Sequence, residues 1–333
     1  MKKKTIIFTG GGSAGHVTPN VALIQQLQRE VWDIHYIGSS KGVEKEINLR
    51  NLLSPLQVLA GVISSFFLCQ KIKPSVIFSK GGFVAFPVVF AGWLSRIPVI
   101  VHESDITPGL ANKMSFPFCR KICVTFPEGL ASFGYAAKVV CTGAPVRENL
   151  FKGDKERGLS LCGFNHHKPV LMIVGGGLGA EVINRLVRQI LLTLLGKFQV
   201  VHLCGKGKTV DNIHHEGYRQ FDYVDEAMPD IYACADIVVS RAGSNAIYEL
   251  LLLKKLHLLI PLSYKASRGD QVLNAAYYEK QRVSMVLPEE EMTPETLWEK
   301  INALYEDDAM RRRLAAFELP NGVDAILEML RSA

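Results

Sequence analysis

The sequence predicts an α/β protein of two similar, doubly wound domains facing each other across a cleft. Three observations carry this. Short apolar runs alternate with helical patterns along the whole 333-residue chain, a length that fits about two domains of ~150 residues. The stretches IIFTGGGSAG and LMIVGGGLGA each read as a strand, a glycine loop and a helix start. Between the halves, Thr142–Pro169 is a Pro/Gly/charged connection with little apolar periodicity.

In the first half, KTIIFTG, DIHYIG, SVIFSKG, PVIVHES, KICVTF and KVVCTG are continuous apolar runs that end in small or polar residues. Parallel strands buried on both faces have this pattern. NVALIQQLQRE and GFVAFPVVFAGWLSR carry helical periodicity between them. In the second half, PVLMIVGGGLGA, FQVVHLCG, FDYVD, DIVVSRAG, LHLLIPL and VSMVLP predict strands. EVINRLVRQILLTLLGK, SNAIYELLLLKK and DQVLNAAYYEKQ predict helices. This alternation implies βαβ units and parallel sheets. The first domain is placed at residues 1–145 and the second at 146–333. Ligands of open α/β sheets bind at strand carboxyl ends, so the cleft between the domains is the expected site.

A hydrophobic content of 48% allows a sizeable core. The net charge of +6, with basic runs at Lys2–Lys4 and Arg311–Arg313, suits an anionic ligand or membrane surface, and equally an ordinary solvated one. No basic stretch is interleaved with aromatics, so nucleic acid is not an expected partner. The seven cysteines form no C-x-x-C pair and read as buried, reduced thiols of a cytosolic protein. The basic start is followed by only four apolar residues, too few for a signal peptide, and reads as a first strand. Val58–Cys69, the longest apolar stretch elsewhere, is too short to cross a bilayer, though the protein could still lie on one.

The chemistry-bearing motifs sit at predicted strand ends. In GGGSAGH, glycine permits close ligand approach, and the N–H groups of the following helix favour anions. His16, set among small residues, suits a general base; it could equally hydrogen-bond its own turn. The loop GGGLGA could cradle phosphate or simply turn tightly for packing. In SRAGSNAIYELL, Gly243, Ser244 and Asn245 would open a helix whose N–H groups face a diphosphate. Glu249, one turn further, could accept from both ribose hydroxyls or be a surface charge. RGDQVLNA supplies Asp270, Gln271 and Asn274, able to bind sugar hydroxyls or to cap a helix.

Seven blocks occur together in order: GGGSAGHVTPNVAL, FSKGGFVAFPVV, HESDITPGLANK, TGAPVRENL, GGGLGAEVIN, VDEAMPDIYACADIVVSRAGSNAIYELL and IPLSYKASRGDQVLNA. In them the chain resembles, over nearly its whole length, the MurG family of glycosyltransferase family 28. These are UDP-N-acetylglucosamine:undecaprenyl-pyrophosphoryl-muramyl-pentapeptide N-acetylglucosaminyltransferases. The resemblance implies a GT-B enzyme with acceptor lipid on the N-terminal domain and UDP-GlcNAc mainly on the C-terminal one, the last helix packing back on the first. It implies inverting transfer to the C4 hydroxyl of lipid I, giving lipid II. His16 would be the base. Ser13, Ala14 and Gly15 would lie against the substrate. Ser244 and Asn245 would hold the diphosphate, and Glu249 the ribose. Arg147 and the backbone at Val224 would lie near uracil or phosphates, and Asp270 and Gln271 would bind the sugar. The implied partners are UDP-GlcNAc, lipid I, the inner face of the cytoplasmic membrane and other cell-wall synthesis proteins. No D-x-D motif is present, so donor binding is expected to need no metal and no other cofactor.

Three positions depart from the family pattern. Gly177 stands where a serine commonly contacts phosphate. Asp105 stands where part of the family has asparagine. Lys41–Gln57 is shorter than the family's usual segment, which bears on acceptor and membrane contacts. Rival readings are another GT-B sugar-nucleotide enzyme, either a lipid glycosyltransferase or an epimerase, and a non-catalytic nucleotide-sugar-binding protein. The stretch LLSPLQVLAGVISSFFLCQKIK, with Phe66 and Phe67 and ending in Lys71 and Lys73, reads either as a helix lying on anionic lipid or as a core helix.

Overall fold

A computed structural model of the chain describes residues 3–11, 14–38, 55–128, 134–264 and 267–333. The chain forms two compact units, Met1–Arg147 with Pro320–Ala333, and Glu148–Leu319.

The first unit is built on strands β1 (Thr5–Thr9), β2 (Asp33–Ile37), β3 (Val76–Ser79), β4 (Val99–Glu103), β5 (Lys121–Val124) and β6 (Val139–Cys141). All pairs are parallel, in the order β2-β1-β3-β4-β5-β6. Its helices include α1 (Ala14–Arg29), α2 (Pro55–Ile72), α3 (Ala85–Leu94) and α4 (Leu110–Ser115). Successive strand residues point to opposite faces. Ile6, Phe8, Phe78 and Ile100 therefore pack on Leu23 and Leu27 of α1. Ile7, Ile77, Val99 and Val101 pack on Val88 and Val89 of α3 and Cys69 of α2. Because both faces are covered, β3 and β4 are wholly buried, which is why their sequences open on the apolar runs VIF and VIV.

The second unit repeats the plan with β7 (Val170–Val174), β8 (Gln199–Leu203), β9 (Tyr218–Phe221), β10 (Ile237–Arg241), β11 (Leu256–Ile260) and β12 (Met285–Val286). Their order is β12-β11-β10-β7-β8-β9, again all parallel. The helices are α5 (Lys155–Cys162), α6 (Glu181–Gln189), α7 (Leu191–Lys197), α8 (Met228–Cys234), α9 (Ser244–Leu252), α10 (Asp270–Lys280), α11 (Pro294–Glu306) and α12 (Asp308–Ala316).

The last helix, α13 (Gly322–Arg331), belongs to the first unit. Its Ile326, Leu327 and Leu330 complete the layer formed by α1. Asn321 fixes its start. The side-chain oxygen accepts from the Val146 N–H (3.1 Å) and the Val323 N–H (3.2 Å), and the amide donates to the Val146 carbonyl (3.1 Å). One residue thus caps α13 and clamps the loop that carries Arg147.

Four details differ from the sequence reading. The helix expected from Asn20 starts at Ala14 and runs through Pro19, which puts His16 in its first turn. The single helix expected over Glu181–Lys197 is two, broken at Ile190 (φ −99°, ψ 12°), a turn that lets Val187 and Leu194 both be buried. FDYVD is not the strand: β9 ends at Phe221, and Asp222 instead accepts from the N–H (3.3 Å) and hydroxyl (3.0 Å) of Thr209. All seven cysteines are free and six are buried, but Cys141 at the sheet edge is exposed. Among the described residues, no helix is long and apolar enough to cross a membrane.

Asn321→Ala removes a cap and a reciprocal backbone clamp at once. It should cost roughly 1–3 kcal/mol and lower the thermal midpoint of the first unit, read by circular dichroism and by hydrogen exchange at Val146 and Arg147. An unchanged midpoint and exchange pattern would count against the clamp.

Candidate active site

In each sheet the chain fills strands on one side of its first strand and then crosses to the other. The switch lies between β1 and β3 in the first unit and between β7 and β10 in the second. Ligand crevices of such sheets open at the carboxyl ends of the strands that flank the switch. The loops there are Gly10–Gly11 and Lys80–Gly82 in one unit, and Gly175–Gly179 and Ala242–Gly243 in the other.

In the second unit, Gly243 precedes α9 in extended geometry (φ −67°, ψ 135°) and brings no side chain to cap it. A Cβ built at Gly243 or at Gly177 meets nothing within 4 Å. The N-cap position thus carries no side chain, and the N–H groups and partial positive charge of the helix start favour an anion there. Packing does not force glycine at 177, so the missing serine there is a change of chemistry rather than of fit. Ser244 is buried, and Asn245 and Glu249 are half-buried. Glu249 lies about 7.5 Å along the helix from Ser244 at 1.5 Å per residue. Gln271, in the first turn of α10, accepts from the Leu262 N–H (3.0 Å), which fixes its amide beside the end of β11. Asp270 pairs with Arg268 (2.6 Å). Val224 is buried in the loop after β9. These residues follow the carboxyl-end edge of the sheet, from β11 across to β9.

Buried polar groups support that edge. Gly179 (φ +67°) lies so close to the loop after β8 that a Cβ would sit 1.8 Å from the Cys204 carbonyl oxygen. The same carbonyl accepts from Asn184 Nδ2 (2.8 Å), and Asn184 Oδ1 accepts from His202 Nε2 (2.9 Å). His202 Nδ1 in turn accepts from the Tyr218 hydroxyl (2.9 Å). Burial holds His202 neutral, with its pKa lowered to about 3. At the opposite end of the sheet, His257 near the start of β11 donates to the Lys255 carbonyl (2.7 Å) and accepts from Ser284 (2.6 Å), and burial lowers its pKa to about 4. Arg241, which ends β10, donates to the Ile260 carbonyl (3.2 Å) and pairs with Glu289.

In the first unit, Ala14, Gly15 and His16 form the first turn of α1; their side chains, and Ser13 altogether, lie outside the described residues. Lys41–Ser54 lies outside them too. Gly82 (φ +86°) abuts the first glycine loop: a Cβ there would sit 2.1 Å from the Gly11 carbonyl oxygen. Asp105 is half-buried in the loop after β4 and donates its N–H to Glu103 Oε1 (3.0 Å). Arg147 is half-buried beside the Asn321 clamp.

The sequence reading missed what lies beneath these loops. Lys80, only 2% exposed, donates to His102 Nδ1 (2.6 Å) and to the Ser104 hydroxyl. His102 Nε2–H donates to the Gly143 carbonyl (3.0 Å). Glu103 is buried and accepts from the N–H groups of Asp105 and Gly109 and from Asn112 Nδ2 (2.8 Å). Burial pushes Lys80 down to about 8, opposed by the nearby Glu103 and Asp105, and pushes Glu103 up to about 7. It also holds His102 neutral, well below its ordinary value. The available signal was a lysine directly after the buried strand Val76–Ser79.

Models of glycosyltransferase family 28 match this chain, the N-terminal domain at residues 6–53 and 48–124 and the C-terminal domain at residues 170–323. The chain is 47% identical, over 98% of its length and 99% of the relative's, to a Clostridium botulinum (strain Langeland) protein. It is 45% identical, over 98% and 96%, to a Legionella pneumophila (strain Paris) protein. Both are named UDP-N-acetylglucosamine--N-acetylmuramyl-(pentapeptide) pyrophosphoryl-undecaprenol N-acetylglucosamine transferase. Its fold matches that of Acinetobacter baumannii MurG (TM-score 0.74, 21% identity, all of both chains). It also matches a Neisseria meningitidis UDP-GlcNAc 2-epimerase bound to UDP-GlcNAc (TM-score 0.71, 14% identity, all of both chains). The two parallel six-stranded sheets with flanking helices are therefore of the GT-B class.

The buried neutral histidines set an acid limit. The unfolded chain takes up protons at His202 and His257 near pH 6.5, whereas the folded chain resists until about 3 and about 4. Their contribution is complete above pH 6.5 and is lost as the pH falls towards 4. Urea unfolding should give a smaller unfolding free energy at pH 5 than at pH 7. A His202→Gln/His257→Gln protein should show a shallower dependence. Equal slopes in the two proteins would rule these histidines out as the cause.

Proposed function

Since the chain belongs to glycosyltransferase family 28, we infer that it transfers GlcNAc from UDP-GlcNAc to the C4 hydroxyl of the muramyl sugar of lipid I, with inversion, forming lipid II for peptidoglycan. The observation that carries this is near full-length identity of 45–47% to relatives named for that transfer.

In this reading the reaction is a direct displacement. His16, in the first turn of α1, takes the proton from the acceptor hydroxyl. The hydroxyl oxygen forms a bond to the anomeric carbon on the face opposite UDP as the bond to the diphosphate breaks. The α-linked donor sugar thereby becomes β-linked. Negative charge builds on the departing diphosphate, and the N–H groups at Ser244 and Asn245 stabilise it without a divalent ion. Support for a metal-free site is the uncapped start of α9. Glu249 would bind the ribose hydroxyls, and Arg147 and Val224 the uracil or phosphates. Gln271, Asp270 and Asp105 would bind sugar hydroxyls, and Ser13, Ala14, Gly15 and Gly177 would approach the ligand through backbone.

The substrate is a membrane lipid, and the protein is proposed to work peripherally at the cytoplasmic face. Support comes from α2, where Leu59, Ile63 and Phe67 are spaced four apart and each about half exposed or more. Trp93 and Leu94 at the end of α3 are also exposed. Such residues suit immersion among headgroups, with Lys71 and Lys73 meeting anionic lipid.

Incubation with UDP-GlcNAc and a short-chain lipid I analogue in EDTA should yield UDP and a product heavier by one GlcNAc. Epimerised UDP-sugar with an unchanged acceptor would overturn the reading, and turnover that returned only with magnesium would overturn the metal-free part. His16→Ala should lower kcat roughly 10²–10⁴-fold, leave UDP affinity by calorimetry unchanged and remove the acidic limb of the pH–rate profile. A variant that kept that limb would assign the proton transfer elsewhere.

A further inference from the structure

We infer that the apolar groove bounded by α2, α3 and α4 in the first unit receives the isoprene units of the acceptor lipid nearest its pyrophosphate. The inference rests on the acceptor reading given above.

The groove encloses about 370 Å³, within the ~300–1,000 Å³ of small-molecule sites. Val58 and Leu68 of α2, Phe83 and Phe86 around the start of α3, and Leu110 and Met114 of α4 form its walls. Among the described residues, no charged side chain lines it, and Ser64 and Ser65 are its hydroxyl groups. Its occupant is therefore uncharged and apolar along its length. Leu68, Phe83, Leu110 and Met114 are each 40–51% exposed, an apolar patch among the described residues.

The groove exists because α2 carries small residues where a packed helix would carry large ones. Gly61 lets α2 approach α3 closely: a Cβ there would lie 3.2 Å from Pro87 Cβ and Cγ. Ser64 and Ser65, one turn on, then leave a gap opposite Phe83 and Phe86. Val58, Gly61, Ser65 and Leu68 recur at helical spacing on one face of α2, and Leu59, Ile63 and Phe67 recur on the opposite face. The helix thus presents two apolar surfaces. One is the outward stripe, and the other lines this groove.

Position favours a substrate tail over a bulk membrane acyl chain. Phe83 directly follows Gly82, which abuts the first glycine loop. Leu110 directly follows Gly109, whose N–H is held by Glu103 at the end of β4 (3.0 Å). Two walls of the groove are therefore one residue away from the loops of the strand-end crevice. An acceptor with its sugar at that crevice must lead its polyprenyl chain away across an apolar surface, and this groove borders the crevice.

The test compares full-length protein on lipid I analogues that share sugar, peptide and pyrophosphate but end in a methyl group or in four isoprene units. In wild type, the isoprene chain should lower the acceptor KM by roughly tenfold or more, the equivalent of burying a few methylenes. Ser64→Trp and Leu68→Gln should abolish most of that gain without raising the KM for the methyl acceptor. A diazirine on the first isoprene of the wild-type substrate should label Phe83, Leu68 or Met114. The groove assignment is overturned by no chain-length gain in wild type, by the same gain in both variants, or by label only on Leu59, Ile63 and Phe67. Groove labelling by a diazirine phosphatidylglycerol vesicle that acceptor fails to displace would assign the groove to membrane acyl chains and overturn it too. No turnover of any acceptor would overturn the acceptor reading, and the groove with it.

Discussion

Both units depend on backbone meeting backbone at the carboxyl ends of their central strands. Gly82 against Gly11 and Gly179 against Cys204 approach so closely that a single Cβ would fall within 2.1 Å and 1.8 Å of a carbonyl oxygen. Both glycines also have positive φ, which other residues adopt only with strain. This contact draws the loops of neighbouring strands into one crest. A ligand can then meet main-chain N–H groups directly, which is how anions are held at helix starts.

The crest of the first unit is held from below by charge. Lys80, His102, Glu103 and Asn112 come from the loop after β3, from β4 and from α4, and they bond to one another or to the same loops. Burying a lysine and a carboxylate is unfavourable, as the displacement of both pKa values towards neutrality shows. The arrangement does not maximise stability. Its effect is to set the positions of Ser104, Asp105 and Gly143 at once. In the second unit a chain of neutral groups, Tyr218–His202–Asn184–Cys204, fixes the loop after β8.

The two crests therefore share a switch point in a parallel sheet, with different strand orders, and differ in chemistry. The first gathers a histidine at a helix start and a buried lysine–carboxylate cluster. The second offers an uncapped helix start, amides and a half-buried glutamate. In the proposed reaction the first handles the proton and the acceptor, and the second holds the anionic leaving group. In the proposed placement, the apolar groove beside the first crest takes the part of the acceptor that water disfavours.

The sequence by itself determined the elements and their chemical punctuation. A parallel strand covered on both faces needs an unbroken apolar run, and the loop that ends it follows directly in the chain. Strands such as Val76–Ser79 and Val99–Glu103 were therefore legible locally. FDYVD was misread because its apolar residues alternate plausibly while Asp222 bonds to a loop thirteen residues away. Only the tertiary structure decided that Lys80 is buried against His102, that Asn321 clamps Val146, and that α2 divides into a core side, a groove and an exposed stripe. These depend on groups far apart in the chain, 22 residues in one case and 175 in another. Local periodicity reports how apolar a face is, and only packing determines what, if anything, covers it.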